Sequence, residues 1–130
     1  MIDSKHMQIV CERLIQERGG LALLALFERD EWRGKWDFVV AGGGLQDDLL
    51  DDYRAVGNVL LEVLSRDEML EIAKIVILPE DYEPVAHLLR RIHNVNGEPV
   101  ELENFNFYEF LIRRGLIFHA QPAEVAVARA

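Results

Sequence analysis

The chain contains one cysteine, Cys11, and only two serines, Ser4 and Ser65. A single cysteine excludes an intramolecular disulfide and fits a reducing compartment, so cytoplasm is the expected location. No Gly-x-Ser-x-Gly occurs, which sets serine hydrolase chemistry aside. No apolar stretch approaches the ~20 residues of a membrane-crossing helix. Residues 1–7 lack the charged-then-apolar order of a signal peptide. The His6-Met7 pair matches what a common cloning site encodes, so residues 1–6 are expected to be a vector-derived extension.

Basic charge is also scarce: 14 Lys and Arg face 23 Asp and Glu, for a net charge of −9. The densest basic groups are the pairs Arg90-Arg91 and Arg113-Arg114. Phosphate backbones and anionic lipid both attract basic patches, so neither nucleic acid nor membrane is expected as a partner. A basic protein remains compatible with the charge.

What is present is apolar: half of the 130 residues. That content excludes disorder. A chain of this length buries roughly two-thirds of its unfolded surface and folds without a disulfide or metal.

Periodicity then orders the elements. Val10, Cys11, Leu14 and Ile15 recur at helical spacing from Met7, and Gly19-Gly20 ends that helix. Leu21 to Phe27 is a strand-length apolar run. It is joined through the polar turn Glu28 to Lys35, with Gly34, to the β-forming Trp36 to Ala41, which reads as a hairpin. Gly42-Gly43-Gly44 closes the second strand, and a helix follows from Leu49 to Leu64 with Asp47, Asp48, Asp51 and Asp52 at its start. Ser65 and Glu68 have capping-box spacing, which opens a third helix. Lys74 to Leu78 is the strongest strand signal and stops at Pro79. A fourth helix starts between Asp81 and Pro84, buries Val85, Leu88, Leu89 and Ile92, and ends at Asn94 to Gly97. Val100 to Phe107 alternates as a strand. Tyr108 to Arg114 reads as further strand or one helical turn, Gly115 as a turn or helix cap, and Leu116 to His119 as a last strand.

The expected fold is α+β: one domain over residues 7–120, with a mixed, mostly antiparallel sheet of about five strands. It opens with an N-terminal hairpin and is packed by about four helices. Residues 121–130 read as a C-terminal tail. The helix between strands 74–78 and 100–107 suggests a crossover joining those two.

No motif assembles a catalytic, cofactor or metal site. The triple glycine sits where a phosphate loop would, yet no Lys-Ser or Lys-Thr follows and four aspartates crowd behind it. Those aspartates lack the order of a calcium loop, and the helix dipole explains them. Asp37 occupies the place of a first acidic ligand in metal-dependent nucleases, but no Glu-x-Lys follows on the next strand. His87 and His93, six apart, do not share a helix face as a metal pair must. Cys11 reads as a small core residue.

Two features suggest binding instead. Trp32 stands in a polar hairpin tip with Arg33 and Lys35, and Trp and Arg are enriched at interface hot spots. Phe105, Phe107, Tyr108 and Phe110 form an aromatic group. Strand alternation sends the first two to one face and Tyr108 and Phe110 to the other, where they meet a helix, a ligand or a second copy of the chain. The expected function is a non-catalytic protein-interaction module, its contact residues being Trp32, Arg33, Lys35, Tyr108 and Phe110. The partner is another protein or, as a homodimer, the chain itself, and no cofactor or metal is expected. The alternatives are a small-molecule sensor, with its ligand between sheet and helix, and an enzyme that assembles Asp37, His87, His93 or His119 only in the fold.

Overall fold

The computed structural model describes residues 2–92, 95–107 and 109–121. In chain order the elements are α1 (Ser4–Arg18), β1 (Leu21–Arg29), β2 (Trp36–Gly42), α2 (Leu50–Val63), α3 (Arg66–Leu70), β3 (Ile72–Leu78), α4 (Glu83–Arg91), β4 (Val95–Phe107) and β5 (Phe110–Ala120). The five strands form one sheet in the order β3-β2-β1-β5-β4. Every contact between neighbours is antiparallel except β2 with β3. The fold is thus the expected α+β domain with an N-terminal hairpin and a mixed, mostly antiparallel sheet.

The run at Leu21 is continuous because β1 is the central strand. Leu21 to Glu28 are all buried. A strand covered on both faces has no solvent side to mark with polar residues. Leu24 and Leu26 point with Phe38, Val40 and Phe118 toward α1 and α2. Leu23, Ala25 and Phe27 point with Val39, Ile112 and Ile117 toward Val85, Leu88 and Leu89 of α4. The sheet therefore lies between α1 and α2 on one face and α4 on the other. No helix among the described residues is long and apolar enough to cross a membrane.

Three expectations change. The crossover joins β2 to β3 through α2 and α3, whereas β3 and β4 sit at opposite edges of the sheet. The fourth helix ends at Arg91, and of the expected stop Asn94 to Gly97, Asn94 lies outside the described residues while Val95 onward already belongs to β4. Finally, Gly115 is neither turn nor cap. It lies inside one continuous β5, and the Phe105 ring occupies the space above it: a side chain there would meet Phe105 Cε1 and Cζ at 2.9 Å. A neighbouring aromatic supplies the packing that glycine lacks.

Helix α1 starts ahead of Met7. The Asp3 carboxylate accepts from Lys5 N–H as its N-cap, and Ile2 joins the core. The Ser65–Glu68 capping box forms as its spacing predicts. Glu68 Oε2 also accepts the Asp3 N–H at 2.7 Å, and His6 Nδ1 lies 2.8 Å from Oε1, so one carboxylate ties α3 to the start of α1. Burial pushes the Glu68 carboxyl up, but the N–H donors of Asp3 and Ser65, followed by His6, outweigh it and hold the group down at about 2. A depressed carboxyl stabilises the folded state above its ordinary value of 4.5, and that contribution fades as pH falls from 4.5 toward 2. Thermal melts across that window should show Glu68→Gln destabilised at neutral pH, with the deficit shrinking in acid. An equal deficit at every pH contradicts this.

Candidate functional site

The two hairpins end side by side. The Asp30 N–H donates to the Leu111 carbonyl at 3.0 Å, joining the β1–β2 tip to the start of β5. Within the tip, Glu28 Oε2 accepts the Gly34 N–H at 2.7 Å, which shapes the turn. On the α4 face of the sheet, Phe27 and Asp37 are direct cross-strand partners, so Arg29, two residues on, reaches Asp37 diagonally. Arg29 Nε is 3.0 Å from Asp37 Oδ2, and Nη1 is 2.9 Å from Glu31 Oε1.

That pairing fixes the guanidinium between two aromatic rings. Its carbon lies 5.4 Å from the Trp32 ring centroid and 5.5 Å from that of Phe110. Both rings nevertheless remain open to solvent, Trp32 at 49% and Phe110 at 42%. The result is an aromatic ridge whose central cation is held from below by a buried carboxylate. Burial raises the Asp37 carboxyl above its ordinary value, while Arg29 and then Lys74 oppose that shift without cancelling it.

The sequence-predicted contact residues divide accordingly. Trp32 and Phe110, 78 positions apart in the chain, share the Arg29 cation. Arg33 stands at the tip, paired with Asp30 at 3.4 Å. Lys35 turns away, its ammonium donating to the Leu70 carbonyl of α3. Tyr108 lies outside the described residues. Phe110 is not on the opposite face from Phe107, as simple alternation had it. The two are direct cross-strand partners in the β4–β5 hairpin, and such partners point the same way. Phe105 and Phe107 pack edge-on against Phe27, with centroids 5.4 and 5.2 Å away. Sequence reasoning missed Arg29. The hairpin register, which sets residue 27 opposite 37 and hence 29 diagonal to 37, was the signal that could have found it.

The remaining candidates are dispersed. Asp37 is committed to Arg29. His119 is buried near the other end of β5, where its Nε2–H donates to the Leu21 carbonyl at 2.9 Å, and burial lowers its pKa. His87 is exposed on α4, and His93 lies outside the described residues. Cys11 is buried on α1, its thiol pushed up to about 11 by burial and then by Glu12, which leaves almost no thiolate at neutral pH. Asp52 does more than face the dipole of α2, in whose first turn it stands. It accepts the Gln46 N–H at 2.8 Å and pairs with Arg18 at 3.1 Å, fastening the loop before α2 to α1.

Two cavities open on the α4 face. A cleft of about 740 Å³ runs between α4 and β4, within the size range of metabolite sites. Its charged and amide side chains, among them Glu83, His87, Arg91 and Glu103, are all exposed, so no buried polar group is set to orient a ligand. A smaller cavity of about 100 Å³ lies behind the ridge, between Phe110, Phe27 and β3. No protein-family model, curated protein or solved structure matches the chain.

Proposed function

We propose that the protein is a non-catalytic interaction module that contacts another protein, or a second copy of itself, through the hairpin-tip ridge of Trp32, Arg29 and Phe110. The observation that carries this reading is the built geometry of the ridge. Two half-exposed aromatic rings flank one cation that is itself fixed by a buried carboxylate. Rigid aromatics and arginine lose little conformational freedom on binding and dominate measured hot spots. Arg33 at the tip extends the surface.

Charges at this end balance: Arg29, Arg33, Lys35, Lys74 and Arg113 stand against Glu28, Asp30, Glu31, Asp37 and Glu109. Contact here would be driven by apolar burial, while the −9 charge of the whole chain would act at longer range and draw in a basic partner. Nucleic acid and anionic membrane fit neither term. A reducing compartment such as cytoplasm accords with the single buried, free Cys11.

Trp32→Ala is expected to weaken partner capture at least ~30-fold, the effect of losing a hot-spot residue, while leaving the melting temperature within a few degrees. Leu61→Ala, on the exposed face of α2, is the control and should change nothing. Light scattering separates the two kinds of partner. A mass near 14.9 kDa at high micromolar concentration indicates a foreign partner, and twice that mass, reverting in Trp32→Ala, indicates self-association. Capture that survives both Trp32→Ala and Phe110→Ala contradicts the proposal.

A further inference from the structure

The small cavity behind the ridge has its own chemistry. Phe27, Val39, Val76, Leu78, Phe107 and Ile112 give it apolar walls, and the charged groups lining it are Arg29, Asp37 and Lys74. Arg29 and Asp37 satisfy one another at 3.0 Å. Lys74 is exposed and attracted to Asp37 through space, but among the described residues it makes no ion pair within 4 Å and no hydrogen bond. The side chains lining the cavity therefore sum to one positive charge, with Glu31 on the outer side of Arg29, in a chain that is otherwise strongly acidic.

Its size limits what can enter. A cavity of roughly 150 Å³ holds benzene, so the ~100 Å³ here takes about four carbon atoms, the volume of an isobutyl group. Most metabolites bury far larger volumes. From the apolar walls, this volume and the unpaired ammonium at the mouth, we infer a binding site for a short branched aliphatic carboxylate. The alkyl group fills the cavity and the carboxylate pairs with Lys74. Either a free branched-chain acid or the C-terminal leucine, isoleucine or valine of a peptide carries both groups on one small unit. The cavity shares Arg29 and Phe110 with the ridge, but the two readings fail separately, because loss of partner capture in Trp32→Ala and loss of acid binding at Lys74 are separate measurements.

The test is an NMR titration of the intact protein that follows the methyl groups of Val39, Val76, Leu78 and Ile112. The probes are isovalerate, isoamyl alcohol, acetate, and a tripeptide with C-terminal leucine as free acid and as amide. Saturable shifts confined to those methyls are expected with isovalerate or the free-acid peptide. Isoamyl alcohol and the amide should bind at least fivefold more weakly, and acetate should not saturate. Lys74→Gln should reduce acid binding to the level of the alcohol with an unchanged melting temperature. Tighter binding of the peptide acid than of isovalerate identifies a protein C-terminus as the source, and the reverse order identifies a free acid. The inference is overturned if neither acid saturates, if alcohol and acid bind equally, or if Lys74→Gln leaves acid binding intact.

Discussion

Gly42→Ala is expected to destabilise the fold by on the order of 3–4 kcal/mol, lowering the melting temperature by roughly 10–15 °C. Gly42 ends β2 with φ +96°, a backbone conformation that side chains disfavour, and an added Cβ would stand 2.5 Å from the Ala22 amide nitrogen and 2.9 Å from Glu80 Oε1. The Glu80 carboxylate can swing away. The Ala22 nitrogen cannot, because it belongs to the central strand β1, whose neighbours β2 and β5 hold it on both sides. Gly44 separates the two effects. It also has positive φ, at +73°, but nothing lies within 4 Å of the position its Cβ would take. Gly44→Ala should therefore cost only the backbone term, about 1 kcal/mol. Equal melting temperatures for the two variants would show that the contact with β1 is not what the turn demands. Gly42 is thus a steric requirement for turning from β2 toward α2, and the three glycines share the positive φ that the turn takes.

The second large effect falls on the ridge itself. Arg29→Met is expected to cost on the order of 3 kcal/mol, because it leaves the Asp37 carboxylate, only 7% exposed, without its partner. The loss should depend on pH in a defined direction. The Asp37 carboxyl is already raised by burial in the folded state. A carboxyl with a raised folded pKa binds its proton more tightly folded than unfolded, so its stability contribution is full in acid and is lost as pH rises through that value. Removing Arg29 removes the principal force opposing the rise. The deficit of Arg29→Met should accordingly be small near pH 4 and grow toward pH 8, as read by denaturant midpoints. Replacing both partners, Arg29→Met with Asp37→Leu, should recover most of the stability, since a buried ion pair exchanged for apolar groups is often close to neutral. A double variant no more stable than Arg29→Met alone would contradict this.

Several parts of the molecule were legible in the sequence because a local signal and its structural cause coincide. The β1–β2 hairpin follows from two β-length runs around Gly34, and α3 from the Ser65–Glu68 box. Trp32 was selectable because an indole in a polar tip has no core of its own to fill. Other parts depend on partners distant in the chain. The sheet order that separates β3 from β4 carries no local mark. The continuity of β5 through Gly115 depends on the Phe105 ring, which belongs to a different strand. Phe110 was misplaced because alternation was carried straight past a hairpin turn, which resets the face on the returning strand. The role of Arg29 is invisible until the register fixes Asp37 diagonal to it. The pairing of Trp32 with Phe110 needs both hairpins in place.

Site-specific photo-crosslinking tests the central claim most directly. A benzophenone amino acid is placed at Arg33, exposed at the tip beside Trp32, or at Leu61, exposed on α2, and the protein is irradiated in the cells that make it. The proposed interface predicts a discrete adduct from position 33 that disappears when Trp32→Ala is added, and none from position 61. Adducts of equal yield from both positions, or an adduct at 33 that persists in Trp32→Ala, would contradict it.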